Sequence, residues 1–199
     1  MPVIRYGENS FPKSSELEYY EFLRIKSDTF VRYNQKSARE IIFTISGSGY
    51  LNFTDNRLRL EKSDTVLLPD GYGSWMYRAS TATQLIRVGG RWKNPSGTYG
   101  IFQIGKSQNP INHGDPNPFE RNTEFDCHFH DCDEYWIIIE GKGLVVSEGV
   151  RYRVQAGDCV ITRAGEHHDF PIVYESILAV WFEGSMVGKK RPGHLYCEK

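Results

Sequence analysis

The chain has 199 residues, 39% of them hydrophobic and 14% aromatic, with a formal net charge of −1. That charge gives no footprint for a polyanion, so nucleic acid is not an expected partner. No run of 18 apolar residues occurs, and the opening MPVIRYGENS has no apolar stretch, so neither a membrane span nor a secretion signal is expected.

The expected location is therefore cytoplasmic, with reduced thiols. Four cysteines, Cys127, Cys132, Cys159 and Cys197, all fall in the second half. Their even number leaves a Cys127–Cys132 bridge as an alternative, and a thiol as a metal ligand as another.

In chain order, residues 14–24 read as either a short helical turn or an edge strand. Strand formers then dominate 40–45, 50–54, 57–60, 65–68 and 84–88. A second set follows at 134–139, 144–147, 151–154, 159–162 and 177–182. Thr54-Asp55-Asn56 and Glu148-Gly149 read as hairpin turns. Many short strands with turns at this spacing predict an all-β sandwich or barrel, with no helix of ordinary length.

The two sets are copies. Shifted by 94 residues, Glu40 falls on Glu134, Gly47 on Gly141, Arg57 on Arg151, Asp64 on Asp158 and Gly71 on Gly165. A fixed offset over a long stretch marks an internal repeat. It predicts two similar β-domains, 1–94 and 95–199.

Only the second copy carries a metal pattern. In a strand, alternate side chains share a face, so His128 and His130 point the same way. Glu134 opens the next strand after the turn Asp131-Cys132-Asp133, and a hairpin brings its carboxylate back beside the imidazoles. His168 follows the turn Arg163-Ala164-Gly165 and enters from another strand. Three imidazoles and a carboxylate suit one divalent ion per chain, Fe, Mn, Ni, Co or Zn, with positions left open. In the first copy Asn34, Lys36 and Ser74 stand at the three histidine positions. Lys36 there would oppose a cation and is expected to pair with Glu40.

These residues resemble the two cupin motifs. The first, G-x5-H-x-H-x3-E-x6-G, is matched by His128, His130, Glu134 and Gly141, with Asn122 in place of its first glycine. The second, G-x5-P-x-G-x2-H-x3-N, is matched by Gly157, Gly165 and His168, with Arg163 and Ile172 replacing the proline and asparagine. The resemblance implies two tandem jelly-roll (double-stranded β-helix) barrels, a bicupin with a metal-binding C-terminal half and a degenerate N-terminal half.

Around the metal, Asp126 shares the face of His128 and His130 and is read as an imidazole-orienting partner or a strand-end residue. Trp136, Ile138 and Phe170 share faces with ligands and are expected to form core that shapes the substrate pocket. His167 should face outward. Arg163 reads as a surface turn residue, with anion binding as the lesser reading. The run Lys189-Lys190-Arg191 reads as solvated tail. Residues 108–121, rich in proline, occur only in the second copy and lead straight into the ligand strand. They predict an ordered lid over the open side of the metal, with His113, Asp115, Glu120 and Arg121 as polar contacts. A plain linker is the alternative.

The function expected is a metal-dependent enzyme acting on a small polar metabolite. The chemistry is of dioxygenase type, with Fe(II) open to substrate and O₂, or of sugar or keto-acid isomerase type, with a polarised carbonyl. The alternatives are a sugar-binding or sensing module without catalysis and a metal that only staples the barrel. The expected partner is a small-molecule substrate, with no nucleic acid and no membrane; a homodimer is compatible with the sequence.

Overall fold

The computed structural model describes residues 3–8, 11–111 and 120–196. Among them there are fourteen strands and no helix, so no helix is long and apolar enough to cross a membrane. The strands are β1 (Val3–Ile4), β2 (Leu17–Ile25), β3 (Phe30–Asn34), β4 (Arg39–Ser46), β5 (Gly49–Phe53), β6 (Asn56–Leu60) and β7 (Thr65–Leu67). They continue with β8 (Ser74–Ala79), β9 (Thr83–Gly90), β10 (Tyr99–Ile104), β11 (Glu134–Ser147), β12 (Val150–Gln155), β13 (Cys159–Thr162) and β14 (His168–Glu183).

The chain forms two compact units. One spans Phe11–Trp92 and holds two four-stranded sheets, ordered β2-β9-β4-β7 and β3-β8-β5-β6. Its core is built on Trp75, Tyr77, Ile42, Leu51 and Leu85. Alternation puts Leu51 and Phe53 of β5 inward and Tyr50 and Asn52 at the half-buried face.

The other unit starts at Lys93 and includes the first residues of the chain. Its six-stranded sheet has the order β1-β13-β11-β14-β10, with β12 paired to β11. Trp136, Ile138, Val145, Phe170, Val173 and Ile177 form its core. The split expected at 94 therefore differs in one respect. β1 pairs with β13, Val3 opposite Val160, and Arg5 Nη1 donates to Asp158 Oδ2 at 2.7 Å. A two-residue strand has too little periodicity to be read from sequence.

The repeat survives as register. Ile41 pairs with Leu67 and Val88; Tyr135, 94 residues later, pairs with Ile161 and Phe182. Asn34 pairs with Ser74, and His128 bridges to His168. Before that bridge the offset changes: Ile25 pairs with Thr83 and Ile104 with Ile177. The β2-to-β10 offset is therefore 79, and the extra chain of the second copy lies between β10 and His128.

Three expectations are refined. Of residues 14–24, those from Leu17 on lie in β2 at a sheet edge, so the strand option holds there. β3, β8 and β10 are additional strands. The segments 134–139 and 144–147 are one strand, β11, which stays paired with β14 through several register shifts. Gly141 sits at one of them with φ +91°, and a Cβ there would collide with the Ser176 carbonyl.

Candidate metal centre

His128 and His168 exchange backbone hydrogen bonds, His128 N to His168 O at 3.2 Å and His168 N to His128 O at 2.9 Å. This places their imidazoles side by side, with ring centroids 4.5 Å apart. The turn before His168 is pinned by Gly165 N donating to His130 O at 2.8 Å. Gly165 adopts φ +81°, which favours glycine. Ala164 N donates to Asp133 Oδ1 at 3.0 Å, tying the same turn to the one that delivers Glu134. Glu134 begins β11, paired on one side with Thr162 and on the other with Glu183.

The result is a buried cluster of His128, His130, Glu134 and His168, whose ligand atoms all lie within 4.8 Å of one another. Each imidazole is oriented from behind through Nδ1: His128 to Asp126 O at 3.0 Å, His130 to Gly193 O at 3.0 Å and His168 to Glu166 O at 2.9 Å. A carbonyl only accepts, so Nδ1 carries the hydrogen in all three rings, and the Nε2 lone pairs are free to ligate. His130 Nε2, His168 Nε2 and Glu134 Oε2 are buried without a hydrogen-bond partner, even though His168 Nε2 stands 2.8 Å and His130 Nε2 3.5 Å from Glu134 Oε2. Buried polar atoms rarely go unpaired, so these need a further partner. Burial would raise the Glu134 carboxyl, but His130 and His168 outweigh it and hold it well below the usual range. A carboxylate and three imidazoles brought together at this distance fit a divalent transition metal.

Over this cluster lies a cavity of about 310 Å³. His128 and Glu134 form its floor, and Phe102, Phe125, Trp136 and Trp181 its walls. Glu183 and Thr98 line it too; Thr98 N donates to Glu183 Oε2 at 2.6 Å. Gly193 and His194 complete the lining, and His194 stacks on His128 at 3.9 Å and 1°.

Of the expected substrate residues, Trp136 lines the cavity. The others are placed differently. Ile138 and Phe170 are fully buried in the core and are not among the residues that line it; the Trp136 and Phe125 rings pack against Phe170. Asp126 sits behind His128; its carbonyl orients that ring and its carboxylate accepts from the Tyr196 hydroxyl. Arg121 pairs with the buried Asp169 and donates to the Ile111 and Phe125 carbonyls at 2.8 and 2.7 Å. These contacts clamp it to the chain on either side, and it is not among the described residues that line the cavity. His113 and Asp115 lie outside the described residues, and Glu120 is exposed.

The sequence reading missed Thr98, Phe102, Phe125, Trp181, Glu183, Gly193 and His194. Glu183 could have been found, since the 94-residue offset puts it opposite Glu134 as Gly89 is opposite Glu40. The end of the chain is not simply solvated. Leu195 and Phe129 exchange backbone hydrogen bonds at 3.0 Å each, and Arg191 N donates to Asp131 Oδ2 at 2.9 Å, while Lys189 and Lys190 are exposed. His167 points away from the cluster, with Nδ1 3.7 Å from Glu148. Cys132 and Cys159 form no disulfide, and no cysteine among the described residues joins the ligand cluster; Cys197 lies outside the described residues.

In the first unit Glu40 holds a different partner from the one expected. Lys36 Nζ pairs with Glu21, and only the Lys36 amide reaches Glu40 Oε1, at 2.8 Å. Arg87 binds Glu40 through both carboxylate oxygens, Nε to Oε2 at 2.8 Å and Nη2 to Oε1 at 2.6 Å, with both side chains fully buried. The fork geometry of a guanidinium suits this bidentate contact, which a lysine cannot make. Tyr19 and Tyr72 hydroxyls also donate to Glu40.

Three imidazoles and a glutamate, carried by β11, β14 and the bridged segment around His128, form a candidate divalent-metal site in an all-β unit. The family model described as a cupin domain matches residues 119–182. The uncharacterized protein y4oW of Sinorhizobium fredii (strain NBRC 101917 / NGR234) is 32% identical over 197 residues, covering 98% of this chain and 90% of that protein. The chain belongs to the cupin superfamily. Its fold is similar to AerE from Microcystis aeruginosa, with TM-score 0.58, 13% identity, and 83% and 86% of the two chains covered. It is also similar to Bacillus subtilis oxalate decarboxylase, a protein with Mn(II) centres, with TM-score 0.58, 12% identity, and 88% and 70% covered.

Proposed function

We propose that this protein is a bicupin enzyme that holds one divalent metal per chain in its second unit and acts on a small molecule seated above it. The observation that carries the reading is the set of buried ligand atoms without partners, His130 Nε2, His168 Nε2 and Glu134 Oε2, inside a four-residue cluster. His128, His130, Glu134 and His168 would hold the ion. A metal there supplies Lewis acidity or a redox centre. The first unit is the degenerate barrel, in which the Arg87 guanidinium neutralises Glu40 as a metal would neutralise Glu134.

Oxygenase-type chemistry is favoured over isomerase-type chemistry. An isomerase needs a base that reaches the substrate. Outside the ligand cluster the described lining offers Glu183, one oxygen of which accepts from Thr98 N, and His194, which stacks on His128, while four aromatic rings dominate the walls. The test is the metal found in protein purified without chelators, followed by oxygen uptake and product analysis with aromatic diols and aldoses. Iron with diol-dependent oxygen uptake supports the reading. Zinc or manganese with aldose conversion favours the isomerase, and ligand binding without turnover favours a sensing module.

A further inference from the structure

The cavity over the metal cluster is an aromatic box. Phe102 meets Trp136 and Trp181 edge-on at 5.9 and 6.1 Å, and Phe125 meets Trp136 edge-on at 5.3 Å. Such rings present faces and edges that bind another flat ring well. Trp181 Nε1 donates to Thr98 Oγ1 at 3.2 Å, and Thr98 N donates to Glu183 Oε2. Outside the ligand cluster, the side-chain polar groups of the described lining then come down to Glu183 Oε1, Trp136 Nε1 and the His194 ring, few for the several hydroxyls of a sugar.

Charge points the same way. No lysine or arginine is among the described lining residues. Arg121 is committed to Asp169, and Arg163 is exposed on its turn. Two carboxylates, Glu134 and Glu183, already offset the two positive charges of a divalent ion. A small dianion would enter with no compensating cation, and burying an unpaired charge is costly.

Resting on the metal reading above, we infer that the ligand of this cavity is a flat aromatic molecule, neutral or singly charged, bearing an oxygen donor for the metal. It is neither a sugar nor a small dicarboxylate. A cavity of about 310 Å³ is near the lower end for small-molecule sites and suits a ligand of one or two rings.

Calorimetry on zinc-loaded protein tests this, because zinc has no redox chemistry of its own and binding is read without turnover. The probes are catechol, oxalate and xylose. Catechol should bind at least about tenfold more tightly than either of the others. Trp181→Leu should weaken catechol about tenfold with zinc content unchanged, the scale expected when a ring contact and its buried area are lost. Phe102→Leu is the second variant, should Trp181→Leu fold poorly, and should act in the same direction. Oxalate or xylose binding as tightly as catechol overturns the inference, as does catechol affinity unmoved in the folded variants. Both results leave the metal reading standing when zinc content is near one per chain. Failure to load zinc at all removes the metal reading and this inference together.

Discussion

Arg87→Met removes a buried guanidinium of similar reach and leaves Glu40 without its cation. In the native protein both side chains are fully buried, joined by contacts of 2.6 and 2.8 Å. Arg87 Nη2 also donates to the Asn34 carbonyl at 2.6 Å. After the change, Glu40 keeps the Tyr19 and Tyr72 hydroxyls and the Lys36 amide. Breaking one side of a buried pair costs about 3–5 kcal/mol. For a chain of this length that lowers Tm by roughly 6–20 °C. The pH dependence carries the diagnosis. Burial would raise the Glu40 carboxyl, but Tyr19, Tyr72, the Lys36 amide and Arg87 hold it below its ordinary value. A depressed folded value contributes stability above the unfolded carboxylate range, lost as pH falls through the folded value. Without Arg87, one of the four groups that hold the carboxyl down is lost, so the folded value rises toward the unfolded one. The variant then loses that stability at a higher pH than the native protein does, so its deficit is full at pH 7 and narrows only at acid pH, below about pH 4.5. Adding Glu40→Gln should recover part of the loss at pH 7. Thermal melts at pH 7 and below about pH 4.5 measure this. A deficit below about 1 kcal/mol, or one equal at both pH values, would refute the buried ion pair as the first unit's substitute for a metal.

Three further outcomes follow from the second unit. Arg121→Ala strands the buried carboxylate of Asp169 and should cost about 3 kcal/mol by chemical denaturation, with metal content retained; an unchanged midpoint contradicts the clamp. Ending the chain after Pro192 removes the Gly193 carbonyl that orients His130, and should weaken metal binding about 10- to 100-fold in a competition titration with a chelator. Unaltered affinity would show that this carbonyl does not tune the ligand. Shortening residues 108–121 to the length of the first copy should leave metal content nearly intact while abolishing ligand binding; binding as before would return the segment to the role of a linker.

The four-residue cluster was legible because each ligand sits at a fixed strand or turn spacing, and its copy without ligands lies 94 residues earlier. Strand alternation was enough to align His128 with His130. The cavity was less legible. Trp136 is next but one to a ligand, whereas Thr98, Trp181 and His194 reach it from distant segments that only tertiary pairing brings together. Ile138 and Phe170 have the right alternation, but alternation specifies a face and not a depth, and both lie in the core beneath the floor. Glu40 kept its position and changed its partner. Lys36 is near in sequence, but Arg87 has the fork that matches a carboxylate, and β9 delivers it directly beside β4.

Metal stoichiometry by elemental analysis of protein purified without chelators tests the central claim most directly. One divalent ion per chain is expected in the native protein and in Glu40→Gln, with less than about a tenth of that in His128→Ala and His168→Ala, since each removes one of four ligands from a site whose geometry needs all of them. Two ions per chain, or full occupancy in both histidine variants, would contradict it.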